Sequence, residues 1–305
     1  MPVNLGNEFG SVNGFPYHPI TLNNSAAIGT FAPHMGRRSE LPIGIFDSGI
    51  GGLTVVKHIH RVLPREDLIY LGDTARVPYG TKSAPTVIRF ACEDTRFLLQ
   101  HRVKAVVVAC NTASAWALPT LEQSFSLPIF GVILPGASAA LNMSRNQRIG
   151  IIGTSATIRS QAYTRCILAR NAGAQVFAKA CPLLVPLVEE GWMDHPVTVQ
   201  VLKEYLKPLL RHGIDTLVLG CTHYPLLKPA LRKVVNRRLA LVDSGASCAT
   251  DVRERLQSYQ LLSQNRRRIG KIWPFVTDEV ERFQELAKRF LNARTEPPQK
   301  VDLSG

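Results

Sequence analysis

Val107-Val108-Ala109-Cys110-Asn111-Thr112 is an apolar run ending in a thiol and two small polar residues, and about 111 positions later the pattern returns as Val218-Leu219-Gly220-Cys221-Thr222-His223. A second pair stands at nearly the same spacing: Pro42-Ile43-Gly44-Ile45-Phe46 and Arg148-Ile149-Gly150-Ile151-Ile152 lie about 106 positions apart. Short apolar runs of this kind suit strands buried on both faces of a parallel sheet. Two echoes with almost one offset point to a duplicated unit, by the self-similarity logic used for repeats.

Working outward, runs of the same type occupy 68–71, 129–133, 174–178 and 239–242, and helix-spaced apolar residues fill stretches between them, as at 84–101, 155–172 and 196–211. Alternating strand and helix predicts an α/β fold of two similar doubly wound parallel-sheet domains with the active site between them. The 305 residues, 45% of them hydrophobic, are enough for two such domains. We place the first α/β domain at 41–129 plus 244–292, carrying Cys110, and the second at 130–243, carrying Cys221. Residues 1–40 are rich in Asn, Gly, Ser and Pro without apolar periodicity, which predicts a flexible N-terminal extension, and 293–305 reads as a flexible tail.

The six cysteines form no CxxC pair and no dense framework, so they read as free thiols of a reducing compartment. No basic segment followed by an apolar one opens the chain, and no apolar run reaches about 18 residues. Neither a signal peptide nor a membrane span is expected, and the expected location is cytoplasmic. The net charge of +13 gathers at Arg266, Arg267, Arg268 and Lys271, at Lys228, Arg232, Lys233, Arg237 and Arg238, and along 145–179, which holds no acid. Such clusters attract anions, nucleic acid included, but they equally describe solvated helix faces. No RNP, zinc-finger or helix-turn-helix signature accompanies them, so neither a nucleic-acid nor a membrane partner is expected.

Cys110 follows the strand at 105–109 and precedes an Ala-rich helical stretch at 113–118; Cys221 follows the strand at 216–220, with Pro225 placed as in a first helical turn. Ligands of open α/β sheets bind at the carboxyl ends of strands. A helix N-terminus adds free N–H groups and partial positive charge, which favour a thiolate. A single buried cysteine is usually a small hydrophobe, the reading we apply to Cys92, Cys166, Cys181 and Cys248. Cys110 and Cys221 differ because they hold equivalent places in two equivalent units and would present two thiols to one cleft. Asn111, Thr112 and Ser114 can cap a helix or bind a ligand, and His223 can tune its neighbouring thiol, polarise a carboxylate or cap a helix.

The loop Asp47-Ser48-Gly49-Ile50-Gly51-Gly52 would let backbone N–H groups approach a ligand. It departs from the dinucleotide pattern G-x-G-x-x-G, since Thr54 stands at the last glycine and Asp47 would repel phosphate. A carboxylate beside glycines suits an amino acid; a plain tight turn capped by Asp47 is the alternative. The loop 72–80 carries an aromatic hydroxyl, Tyr79, and Gly80, and reads either as a substrate closure or as an ordinary loop. Only Cys221 and His223 lie close enough to suggest metal ligands, fewer than zinc needs, so no metal is expected. A Cys–His hydrolase is the nearest competitor, but it leaves the duplicated thiol unexplained.

The motifs IGIFDSGIGGLTV (43–55), YLGDTARVPYG (70–80), VVACNTASAWALP (107–119), GIIGTSATIRS (150–160), CPLLVPLVEEG (181–191) and LGCTHYPLL (219–227) together closely resemble the glutamate racemases of the aspartate/glutamate racemase superfamily. The resemblance covers roughly residues 42–243. It implies an enzyme with no cofactor that interconverts L- and D-glutamate and supplies D-glutamate for peptidoglycan. It also implies a homodimer and, in parts of the family, regulation by a peptidoglycan precursor, for which the N-terminal extension is a candidate element. Carried over motif by motif, it implies catalytic thiols at Cys110 and Cys221. It implies substrate contacts at Asp47, Ser48, Tyr79, Gly80, Asn111, Thr112, Thr222 and His223, and a supporting acid at Glu189, with Glu190 the adjacent competitor. Related aspartate racemases look like Cys-Thr-Glu at the second thiol, whereas Cys221-Thr222-His223 favours glutamate. One thiol on each face of a planar carbanion is implied, Cys110 deprotonating D-glutamate and Cys221 L-glutamate. A cysteine hydrolase or decarboxylase on the same scaffold, and a basic nucleic-acid-binding protein, are the competing readings.

Overall fold

A computed structural model describes residues 38–265, 268–291 and 294–303. Residues 1–37 of the expected extension, and Arg266 and Arg267 of one basic cluster, lie outside the described residues. The strands are β1 Ile43–Asp47, β2 Leu68–Gly72, β3 Ala105–Val108, β4 Ile129–Gly131, β5 Arg148–Gly153, β6 Gln175–Ala180, β7 Thr216–Gly220, β8 Ala240–Asp243, β9 Ile272–Val276 and β10 Gln299–Lys300. The helices are α1 Leu53–Val62, α2 Ala84–Gln100, α3 Asn111–Trp116, α4 Leu118–Ser124, α5 Ile133–Met143, α6 Ser155–Arg159, α7 Ala162–Leu168, α8 Leu184–Glu189, α9 Pro196–Arg211, α10 Lys228–Val234, α11 Ser244–Ser258 and α12 Val280–Leu291.

Six strands form one sheet in the order β10-β9-β2-β1-β3-β4, and four form a second in the order β6-β5-β7-β8. All the pairings are parallel. The order β6-β5-β7-β8 repeats β2-β1-β3-β4 strand for strand, so the echo in the sequence is an echo in topology. β1, β2, β3 and β7 are buried along their whole length, as continuous apolar runs covered by helices require. Val55, Val56 and Ile59 of α1, Cys248 and Val252 of α11, and Phe283 and Leu286 of α12 belong to one core that also holds Leu217 and Leu219 of β7. The two sheets therefore share buried surface. Asp243, at the end of β8, caps α11 by accepting the Gly245 and Ala246 N–H groups, and binds His58 of α1 at 3.2 Å and Lys228 at 2.7 Å. Burial works against its charge, but these partners hold the carboxylate well below its ordinary range.

Several boundaries differ from the sequence expectations. The helix expected at 155–172 is two helices, because Gln161 turns left-handed (φ 53°) between α6 and α7. β9 has no counterpart among the expected strands, since Pro274 argues against one. It is tolerated because β10 pairs only with Phe275 and Val276, which leaves Pro274 locally at an edge. The expected flexible tail 293–305 is corrected by β10, which adds Gln299–Lys300 to the first sheet. The last residues of the expected extension are docked as well: Glu40 accepts from the Ser263 hydroxyl at 2.9 Å and the Gln264 N–H at 2.8 Å. Within the basic clusters Arg268, Lys228 and Lys233 are paired with Asp67, Asp243 and Asp194. No helix among the described residues is long and apolar enough to cross a membrane.

Lys104 is fully buried, paired with Glu66, and donates to the Ser39 carbonyl at 2.6 Å. Burial pushes Glu66 up and Lys104 down, and their mutual attraction opposes this desolvation without cancelling it. Removing one partner strands the other charge. Lys104→Ala is expected to cost about 3–5 kcal/mol in urea unfolding, and Lys104→Met combined with Glu66→Leu to recover most of that loss. A single variant as stable as the parent would refute this account.

Candidate active site

The carboxyl ends of β1 and β3 in the first sheet, and of β5 and β7 in the second, meet around a cavity of about 280 Å³. β1 and β3 are in register from Ile43↔Ala105 to Phe46↔Val108, and β5 and β7 from Ile149↔Thr216 to Gly153↔Gly220. Each thiol thus emerges just past the last paired residue of its strand, beside the loop that leaves the neighbouring strand. Cys110 and Cys221 both line the cavity, each 6% exposed.

Cys110 is the N-cap of α3, which begins two residues before the helix expected at 113–118. Its Sγ lies 3.6 Å from Ser48 Oγ. Burial, then the charge of Asp47, pushes the Cys110 thiol up to about 12, against the opposing pull of the Ala113 N–H and Ser48. Cys221 has different company: His223 Nδ1 is 3.8 Å from its Sγ, and His223 Nε2 is 2.9 Å from Glu189 Oε1. Burial disfavours the imidazolium, but the hydrogen bonds to Cys221 and Glu189 outweigh it and push His223 up to about 10. Burial also disfavours the Glu189 carboxylate, and the bond from His223 outweighs it, so Glu189 sits below its ordinary range. Glu190 instead faces Arg282 at 3.8 Å.

Asp47 is fully buried and accepts the Gly49 N–H at 3.1 Å and the Thr222 hydroxyl at 3.4 Å. Burial raises it, opposed by the positive His223 and by these donors. The glycine loop has a tighter purpose than leaving N–H groups open. A Cβ on Gly51 would stand 2.4 Å from His223 Nδ1 and from Thr222 Oγ1, and one on Gly52 would stand 2.4 Å from Asp47 Cβ. Thr54, the residue that breaks the dinucleotide pattern, donates to the Thr222 carbonyl at 2.8 Å.

Of the expected site residues, Ser48, Tyr79, Gly80, Cys110, Asn111, Thr112, Glu189, Cys221, Thr222 and His223 all line the cavity. Asp47 does not; it lies behind the wall, bound to it through Thr222. Tyr79 lines the cavity, but its hydroxyl is engaged elsewhere. That hydroxyl donates to Asp73 and lies 3.0 Å from Asp94, two carboxylates with no exposed surface. Arg76 binds both carboxylates at 2.6 and 2.9 Å. Sequence reasoning passed over Thr154, which lines the cavity and joins Thr112 (2.9 Å) and Thr157 (3.0 Å) in a cluster of three hydroxyls. The motif GIIGTSATIRS carried that signal, but no chemistry in it singled out the threonines. Among the described residues, no group of three or more His, Cys, Asp and Glu side chains converges as metal ligands would. All six cysteines are free thiols.

The profile of the Asp/Glu/Hydantoin racemase family matches residues 43–252. A glutamate racemase of Geobacter metallireducens is 49% identical over 261 residues, 86% of this chain and 96% of that one. The crystal structure of a glutamate racemase isoform from Bacillus anthracis superposes with a TM-score of 0.84 at 39% identity, over 87% of this chain and 98% of that one. A Francisella tularensis glutamate racemase crystallised with D-glutamate gives a TM-score of 0.81 at 37% identity, over 87% and 99%. With its fold and most of its length in common with these proteins, the chain belongs to the Asp/Glu/hydantoin racemase family.

Proposed function

We propose that this protein is a glutamate racemase that inverts the α-carbon with two thiols and no cofactor, and so supplies D-glutamate for peptidoglycan. The observation that carries this reading is the presence of Cys110 and Cys221, one from each sheet, in the lining of one cavity. Inverting a carbon that bears an acidic proton needs a base on one face and an acid on the other. Two identical groups that exchange these roles serve both directions. Cys221 takes the α-proton of L-glutamate while Cys110 gives its proton to the opposite face, and for D-glutamate the roles reverse.

The surroundings of the two sulfurs fit this assignment unequally. Cys110, buried beside Asp47, holds its proton and rests as the acid. Cys221 lies against a protonated His223, whose Nδ1–H can satisfy negative charge on sulfur. Glu189 holds the other imidazole nitrogen and keeps that proton in place. The carbanion between the thiols needs aimed donors, and Asn111, Thr112, Thr222 and His223 supply them from both halves of the cavity. Cys221, His223 and Glu189 also have the connectivity of a thiol hydrolase, but that reaction has no use for Cys110.

Incubation with L-glutamate in deuterated water, without added pyridoxal phosphate, tests the proposal. Optical rotation should decay as deuterium enters the α-position. Cys110→Ala and Cys221→Ala should each slow racemisation by about 10²–10⁴-fold or more. A wild-type protein that neither racemises glutamate nor exchanges its α-hydrogen would sink the reading, and hydrolysis surviving Cys110→Ala would favour the hydrolase.

The same cluster predicts a pH dependence of stability. His223 binds its proton up to about pH 10 when folded and up to about 6.5 when unfolded. Folding then favours the protonated form, so the stabilisation is complete below about pH 6.5 and is lost as pH rises toward 10. Urea midpoints measured from pH 6 to 10 should fall with pH in the wild type, and fall less steeply in His223→Gln. Parallel curves would overturn the assignment.

A further inference from the structure

Tyr163 of α7 belongs to the half that carries Cys221, and it is 2% exposed. Its hydroxyl donates to Asn111 Oδ1 at 2.7 Å, in the residue that follows Cys110. Its ring lies against Gly220, which precedes Cys221: a Cβ there would stand 3.2 Å from Tyr163 Cε2. One side chain therefore touches the chain neighbour of each thiol. The hydroxyl fits because Gly136 of α5 has no side chain; a Cβ would lie 3.2 Å from the Tyr163 hydroxyl and from Ser244 Cβ. Ser244 Oγ donates to the Leu219 carbonyl at 3.3 Å and accepts from Asn111 Nδ2 at 3.5 Å. Burial pushes the Tyr163 phenol well up, which keeps it a donor.

An amide side chain has one accepting end and one donating end. Tyr163 occupies the accepting end of Asn111, and Nδ2 spends one hydrogen on Ser244 Oγ, so the second Nδ2 hydrogen is the one left to serve the cavity that Asn111 lines. We propose that Tyr163 is a positioning residue for the racemase reaction: it fixes Asn111 as an N–H donor to a substrate carboxylate and holds that donor in register with the Cys221 strand. This rests on the glutamate reading above. Tyr163 touches no substrate itself and acts through Asn111 and the backbone at Gly220.

The test uses Tyr163→Phe, which keeps the ring and removes the hydroxyl. The amide is then free to turn its oxygen toward the carboxylate. KM for both glutamate enantiomers, and Ki for glutarate, a dicarboxylate without the ammonium group, should rise about tenfold, with kcat changed by less than about threefold. In an Asn111→Ala background the same substitution should add nothing, because its intermediary is gone. A loosened fold would instead lower kcat and the melting temperature, with effects that add to those of Asn111→Ala. That outcome, or a glutarate Ki within twofold of wild type, overturns the inference. Should Tyr163→Phe fail to fold, Gly136→Ala, which presses on the hydroxyl, must give the same rise in glutarate Ki, and an unchanged Ki counts against the proposal. Wild-type protein that does not racemise glutamate would instead fail the reading on which this rests.

Discussion

The contact on which the rest depends is the one between the loop after β1, with the first turn of α1, and the loop after β7. The Thr54 hydroxyl donates to the Thr222 carbonyl, and Gly51 lies so close to His223 and Thr222 that a single added carbon would collide with both. These loops belong to different sheets, and each sheet supplies one thiol. Fixing one loop on the other fixes the spacing of the halves where the chemistry needs it. The shared core of α1, α11 and α12 backs this contact from behind, and the pair His58–Asp243 ties α1 to the end of the second sheet.

The two halves are alike in strand order, and the residues around the sulfurs make them unlike. Thr154 stands in the second half where Ser48 stands in the first, at the offset of about 106, yet only Ser48 approaches a sulfur. Asp47, on the first sheet, presses Cys110 toward its protonated form, while His223 and Glu189 give Cys221 a positive neighbour. A symmetric scaffold carrying asymmetric charge suits a reaction run in both directions. The two sulfurs thus stand at the ends of like strands in unlike electrostatic surroundings.

Much of this is legible in the sequence alone. Apolar runs of strand length, repeated at one offset, marked β1, β3, β5 and β7, and the thiols at their ends marked the cavity. Boundaries were less legible where a local signal opposed the tertiary one. Pro274 hid β9, because its edge position depends on a two-residue strand far along the chain. Gln161 takes a left-handed turn that nothing in its neighbours announces. In the site, identity was legible and orientation was not. Asp47 and Tyr79 were singled out for their polar groups, and both groups point into buried networks whose members come from distant segments. Tyr163 and Ser244 escaped notice because their effect on Asn111 exists only once α7 and α11 are folded beside α3.

The loop carrying Tyr79 and Gly80 gains a different character from these networks. Burial and the charge of Asp73 push the Asp94 carboxyl up, against the pull of Arg76, and Asp73 accepts from the Tyr79 hydroxyl. Arg76 closes the ring of contacts, and Thr277, just past β9, donates to Asp73 at 3.1 Å. To swing outward as a lid, the loop would have to take the Tyr79 hydroxyl and Arg76 away from Asp94, which α2 holds inside the protein. Unpaired buried polar groups of that kind are costly. Gly80 meanwhile lies against Thr154 of the second half, where a Cβ would stand 2.7 Å from Thr154 Cβ. The loop is therefore a wall set in place by folding. The absence of a side chain at Gly80 is what allows the second half to lie in contact with it.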